Sequence, residues 1–121
     1  MEYLSSIERQ SEAMPGVTLV IAKMSVGRRV ELMRQVREIA RRVEFLEAGS
    51  DPKEKIEASV LALEIEHLYV RWGLKEVRGL RIDGAEASPQ SLAEAGPEEV
   101  FREALAAVKA ECGLSESERK N

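Results

Sequence analysis

The chain has a single histidine, which limits the acid–base and metal chemistry it can perform. His67 follows Glu64 by three positions, so on a helix the two side chains would share a face. Such a pair is half of the carboxylate-bridged di-metal signature, which needs a second Glu–His pair and two further carboxylates. One histidine cannot supply a second pair within the chain, and the simpler reading is an imidazole among surface glutamates. A serine nucleophile, or the single cysteine Cys112, would likewise need His67 and an acid to activate it. No nucleophile elbow surrounds any of them, and Cys112 sits at apolar spacing, where a small buried hydrophobe is the default. Gly73, Gly79 and Gly84 are spaced as element ends and turns, not as a phosphate-cradling loop. The expectation is therefore no catalytic residue, no cofactor and no bound metal: a chain that binds other proteins and is not an enzyme.

Two groups of residues are candidates for that binding. Between Lys23 and Arg42 seven basic residues stand against two acidic ones, Glu31 and Glu38, a local charge of +5. Arg34, Arg37 and Arg41 recur at three- and four-residue steps and share a helix face. From Asp83 to Asn121 nine acidic residues stand against four basic ones, a local charge of −5. The two regions read either as solvated faces that attract each other within one molecule, or as a polar docking surface or a contact between subunits of a homo-oligomer. The second group is Tyr69–Leu74, which holds the only tryptophan, Trp72, and one of two tyrosines, Tyr69. Trp72 continues the apolar spacing of Leu61, Ile65 and Leu68, which favours a core position. Tyrosine and tryptophan are also common anchors at interfaces. The candidate partner-binding set is thus Arg34, Arg37, Arg41, Tyr69 and Trp72.

The elements that must carry these residues are mainly helical. The chain has 121 residues, 44% apolar and 33% charged, with only 4% aromatic, so Leu, Ile, Val and Ala must fill a core sized for one domain. The net charge of −4 argues against general nucleic-acid or anionic-membrane binding. The N-terminus lacks the pattern of a secretory signal, and no run approaches a membrane span. With a lone cysteine, the expected setting is cytoplasmic. Residues 1–15 read as an arm, loose or briefly helical, ended by Pro15–Gly16. Val17–Ala22 is β-branched and reads as a strand. Ser25 caps a helix whose apolar stripe runs Val26, Val30, Met33, Val36, Ala40, Val43, with Gly49 expected as its left-handed cap. Asp51–Pro52 starts a second helix with Ile56, Val60 and Leu63 on one stripe and Leu61, Ile65, Leu68 and Trp72 on another. Their short connection implies an antiparallel hairpin with the apolar stripes facing each other. A short strand holding Val77, Leu80 and Ile82 is expected beside 17–22, with a turn at Asp83–Gly84. A last helix follows Gly96–Pro97, with Phe101, Leu105, Val108 and Cys112 on one face. The expected organisation is one helical domain over 16–113, a minor two-stranded β pairing, and a flexible polar tail over 114–121.

The segments Met24–Leu32, Val43–Gly49, Tyr69–Leu74, Gly79–Gly84 and Leu114–Asn121 together resemble the tail assembly chaperones of long-tailed bacteriophages and prophages, over about residues 16 to 121. The resemblance implies a mainly helical protein that coats the long, hydrophobic tape measure protein before the tail tube polymerises. It transfers no defined binding residues. A structural component of the virion tail or neck would show the same patterns and is the alternative. Chaperones of this kind are often made in two lengths, the longer by a ribosomal slip. Arg119–Lys120–Asn121 is compatible with the slippery message A-AAA-AAC. An ordinary polar C-terminus is the simpler reading of these residues, and a minor product extending past Asn121 is the alternative that the resemblance implies. Reading the gene checks it: codons that spell no such heptamer, with no open frame overlapping the stop, would remove the expectation.

Overall fold

The computed structural model describes residues 1–113, so the polar tail lies outside the described residues. The protein is mainly α with a minor β content, as the periodicity predicts. In chain order the elements are β1 (Ser6–Gln10), β2 (Thr18–Ala22), α1 (Val26–Glu47), α2 (Pro52–Gly73), β3 (Leu74–Arg78), β4 (Arg81–Ile82), β5 (Ala85–Glu86), α3 (Pro89–Ala95) and α4 (Glu98–Glu111). They fall into two compact units. A hairpin unit spans Ser25–Leu68. A sheet unit holds Met1–Met24 and the chain from Tyr69 onward, so the division falls inside α2.

In the sheet unit the strand order is β1-β2-β3, antiparallel throughout. The expected pairing beside residues 17–22 is present, but its strand ends at Arg78, so Leu80 lies outside it and Ile82 belongs to β4, and the sheet has a third strand. Residues 6–10, expected within an arm, form β1 against β2, with Ile7 opposite Ile21 and Gln10 opposite Thr18. The polar sequence Ser6-Ile7-Glu8-Arg9-Gln10 hides this strand because an edge strand has only half-buried positions to mark it. In β3, Leu74 and Val77 are both buried although three residues apart, a spacing no regular strand allows on one face. The register explains it. Val77 lies opposite Leu19, Glu76 opposite Val20, and Leu74 opposite Ile21, so Lys75 is an extra, bulged residue. The bulge turns Leu74 back onto the face of Leu19, Ile21 and Val77. Helix α4 packs against β2 and brings Val100, Ala104, Leu105, Val108 and Cys112 into the core. Leu92 of α3, which is held by a capping box at Ser88, is also buried. Phe101, expected on the core face, is only half-buried.

Two contacts seat α4. At Gly73 the chain passes from helix to strand without a linking residue, and Val108 fills the space beside it. An added Cβ there would lie 3.0 Å from the Val108 Cβ and nearer still to its methyls. At the other side, the Glu103 carboxylate caps the β1–β2 turn. It accepts from the Ser11 hydroxyl at 2.5 Å, the Glu12 N–H at 2.7 Å and the Ala13 N–H at 3.4 Å. Ser11 is itself buried and accepts from the Met14 N–H at 3.0 Å. The Asp83–Gly84 turn joins β4 and β5 as predicted. Both residues have positive φ, 50° and 84°, which a tight two-residue hairpin needs.

The two long helices start where their caps predict. Ser25 accepts from the Arg28 N–H, and the Asp51 side chain accepts from the Lys53 N–H at 2.9 Å. Gly49 is not left-handed, against expectation: Ala48 closes α1 in the right-handed region, and the Glu54 side chain occupies the space a Cβ at Gly49 would need. The apolar stripes are a larger correction. Val26, Val30, Ile56, Val60 and Leu63, all assigned to stripes facing the opposite helix, are exposed. The buried positions of this unit are Leu32, Ala58, Leu61 and Leu68. A pair of helices has one seam between them, too narrow for apolar residues spread over wide arcs of both surfaces.

Gly73→Ala should destabilise the protein by about 1–3 kcal/mol, because overpacking Val108 outweighs the helix-propensity gain of an alanine. Adding Val108→Ala should recover part of the loss. A thermal melt unchanged by Gly73→Ala would contradict this packing. Burial alone would raise the Glu103 carboxyl, but the hydrogen bonds from Ser11, Glu12 and Ala13 outweigh it and hold it below the usual carboxylate range. A pKa lowered on folding gives stability that is complete above the unfolded carboxylate value and lost as pH falls through the folded one. Denaturation measured over acid pH should show a shallower fall in stability for Glu103→Gln than for the parent. Glu103→Ala should cost about 1–3 kcal/mol at neutral pH through the lost acceptor.

Candidate protein-interaction surface

The outward side of α1 is built from a simple repeat. At 3.6 residues per turn, Val30, Arg34, Arg37, Arg41 and Phe45 fall along one stripe, with three guanidiniums between two apolar ends. Val30 is 51% exposed and Phe45 76%. Arg34, Arg37 and Arg41 are exposed as well. Arg34 donates to Glu31 at 2.8 Å in an i,i+3 pair, with 70% of its side chain in solvent. A pair that open is screened and weak, so it holds the guanidinium only loosely. Toward the end of α1 the stripe opens on a recess of 310 Å³ lined by Glu38, Arg41, Arg42, Phe45 and Leu46, with Glu57 from α2.

Helix α2 has an outward stripe of its own. Ile56, Val60 and Leu63 follow at four- and three-residue steps and are 66%, 45% and 58% exposed. Glu57 and Glu64, both exposed, flank it on one side. Large apolar side chains this open rarely occur together on a protein without a binding role. Among the described residues, the other large apolar side chains so exposed are Met1, Tyr3, Leu4 and Val26.

No family model, curated protein or solved structure matches the chain. The geometry alone therefore ranks the candidates. Of the partner-binding set read from the sequence, Arg34, Arg37 and Arg41 do come together, on the α1 stripe. Tyr69 and Trp72 belong to the sheet unit. Tyr69 is buried, with the Lys109 ammonium 5.3 Å from its ring centroid. Burial pushes its phenol above the ordinary tyrosine value, and the neighbouring Cys112 thiol adds to the shift. Trp72 is half-buried. Both are packing residues in this fold, and an anchor role for Tyr69 would require unpacking it. His67 and Glu64 are exposed on α2, and no group of three metal-type ligands gathers among the described residues.

Sequence reasoning missed the exposure of Ile56, Val60, Leu63 and Phe45. A signal for the first three was present. Helix α2 carries two stripes, Ile56–Val60–Leu63 and Ala58–Leu61–Ile65–Leu68, and one neighbouring helix can cover only one of them. Phe45 had no such signal, since it borders the apolar residues Val43 and Leu46.

Proposed function

We propose that this chain is a non-catalytic protein-binding module, and specifically a tail assembly chaperone that shields the tape measure protein of a long-tailed bacteriophage in the cytoplasm of the bacterial host. The observation that carries the reading is the hairpin unit. Its outward surfaces alternate apolar side chains with arginines and glutamates on two long helices. A long helical client offers apolar stripes at the same periodicity, and helix-against-groove contacts would cover them. Arginine stems add apolar area while their guanidiniums stay in water, so the complex remains dispersed. Each large side chain covered gives roughly 1.5–3 kcal/mol at most, and much of that is offset by the cost of association. A few such contacts make a grip that tail polymerisation can displace. The resemblance of residues 16–121 to tail assembly chaperones supports the same reading.

No helix among the described residues is long and apolar enough to cross a membrane. Co-expression with the tape measure protein is the test. The client should be recovered in the supernatant with the parent chain, and largely in the pellet with Phe45→Ser combined with Leu63→Ser. These two exposed positions should leave the melting temperature unchanged. A client equally insoluble with and without the chain would overturn the reading. Recovery of the chain from mature particles at fixed stoichiometry would assign it to the virion instead.

A further inference from the structure

We infer that the segment before β1 docks in the α1–α2 recess of a second copy, with Glu2 and Leu4 against α1 and Tyr3 toward Glu57. This goes beyond the chaperone reading and does not rest on it. Phe45 and Leu46 give the recess apolar lining, and Glu38, Arg41, Arg42 and Glu57 give it charge of both signs. Among the described residues, none of these four charged side chains forms an ion pair or hydrogen bond. An occupant that uses them must bring an anion, a cation and apolar area together. At 310 Å³ the recess admits one or two side chains of an entering segment, at the low end of the roughly 300–1,000 Å³ of small-ligand sites. A whole helix, about 10 Å across, is too wide to enter it.

The residues before β1 bring that set. Tyr3 and Leu4 are 73% and 64% exposed, and Glu2 is exposed beside them. The Lys23 ammonium stands 5.0 Å from the Tyr3 ring centroid. The segment therefore carries one carboxylate, one ammonium and two large apolar side chains. In an extended chain Glu2 and Leu4 point to one side and Tyr3 to the other. Two extended residues cover about 7 Å, and the four-residue step from Arg41 to Phe45 covers about 6 Å. Glu2 thus reaches Arg41 and Arg42 while Leu4 rests on Phe45. Tyr3 turns to the opposite wall and carries its Lys23 cation to Glu57. Glu38 lies one turn before the arginines, alongside Met1, so the two guanidiniums stand between it and Glu2. Each copy has one segment and one recess, which makes the contact heterologous.

Sedimentation velocity on the whole chain, over a concentration series, reads the contact directly. The parent's average mass should rise with concentration. Tyr3→Ser with Leu4→Ser removes the apolar part of the segment, and Phe45→Ser removes that of the recess. Each variant alone should associate at least about tenfold more weakly, equivalent to about 1.4 kcal/mol, and Glu2→Arg should weaken association as well. The mixture is the decisive arm. Combined in equal amounts, the segment variant and the recess variant should form a one-to-one dimer and nothing larger, because one intact segment and one intact recess remain. Circular dichroism checks that each variant keeps its helices. A synthetic peptide of residues 1–6 should inhibit association of the parent, and the same residues in scrambled order should not, which tests the contact without any variant. The proposal is overturned by a parent that stays monomeric at every soluble concentration, by folded variants that associate like the parent, by a mixture of folded variants that forms no dimer, or by a scrambled peptide that inhibits equally well.

Discussion

The sheet unit depends on how α4 is seated. This helix supplies four buried apolar residues of the unit, with Cys112 at its C-cap a fifth, and a three-stranded sheet with one covered face needs such a cover. Its position is fixed at two points by opposite means. At Gly73 the backbone carries no Cβ, so Val108 can approach the helix–strand junction closely. At Glu103 a carboxylate is held by one hydroxyl and two backbone N–H groups at the β1–β2 turn. The first contact is close packing and tolerates no added volume. The second is directional and charge-assisted. The β1 strand, which contributes little apolar area, is ordered through this turn and its ladder to β2.

The hairpin unit rests on a different balance. Its helices run 22 residues each, with sound N-caps and many strong helix formers, yet few of their residues are buried. Local propensity and capping thus support these helices more than packing does. That leaves outward apolar side chains available to a second surface, at the cost of a unit that buries little of its own. The proposed client contact follows from this one imbalance.

Where the sequence could be read, each signal was local and chemically distinct. Ser25, Asp51–Pro52 and Asp83–Gly84 mark boundaries by backbone chemistry, and the elements begin or turn there. The arginine stripe was legible because helical spacing alone places Arg34, Arg37 and Arg41 together. What could not be read depended on neighbours distant in the chain. The β1 strand looks like a polar arm until β2 is beside it. Gly73 looks like a helix stop, and only Val108 shows it to be a packing site. The direction of the Ile56–Val60–Leu63 stripe could not follow from periodicity, since a stripe has the same period whether it faces a core or water. Tyr69 looks like an interface anchor until its burial is known.

The β3 bulge reaches beyond the register it corrects. Both edges of the three-stranded sheet carry charge, Glu8 and Arg9 on β1 and Lys75, Glu76 and Arg78 on β3. Arg78 pairs with both Glu76 and Glu8, linking the two outer strands above Val20. An extra residue at Lys75 twists the β3 edge away from the straight geometry that another strand would need to add on. Charge and twist together close the sheet to amyloid-like growth. The large exposed apolar side chains Phe45, Ile56 and Leu63 lie instead on helices, which offer no unpaired backbone to a growing strand.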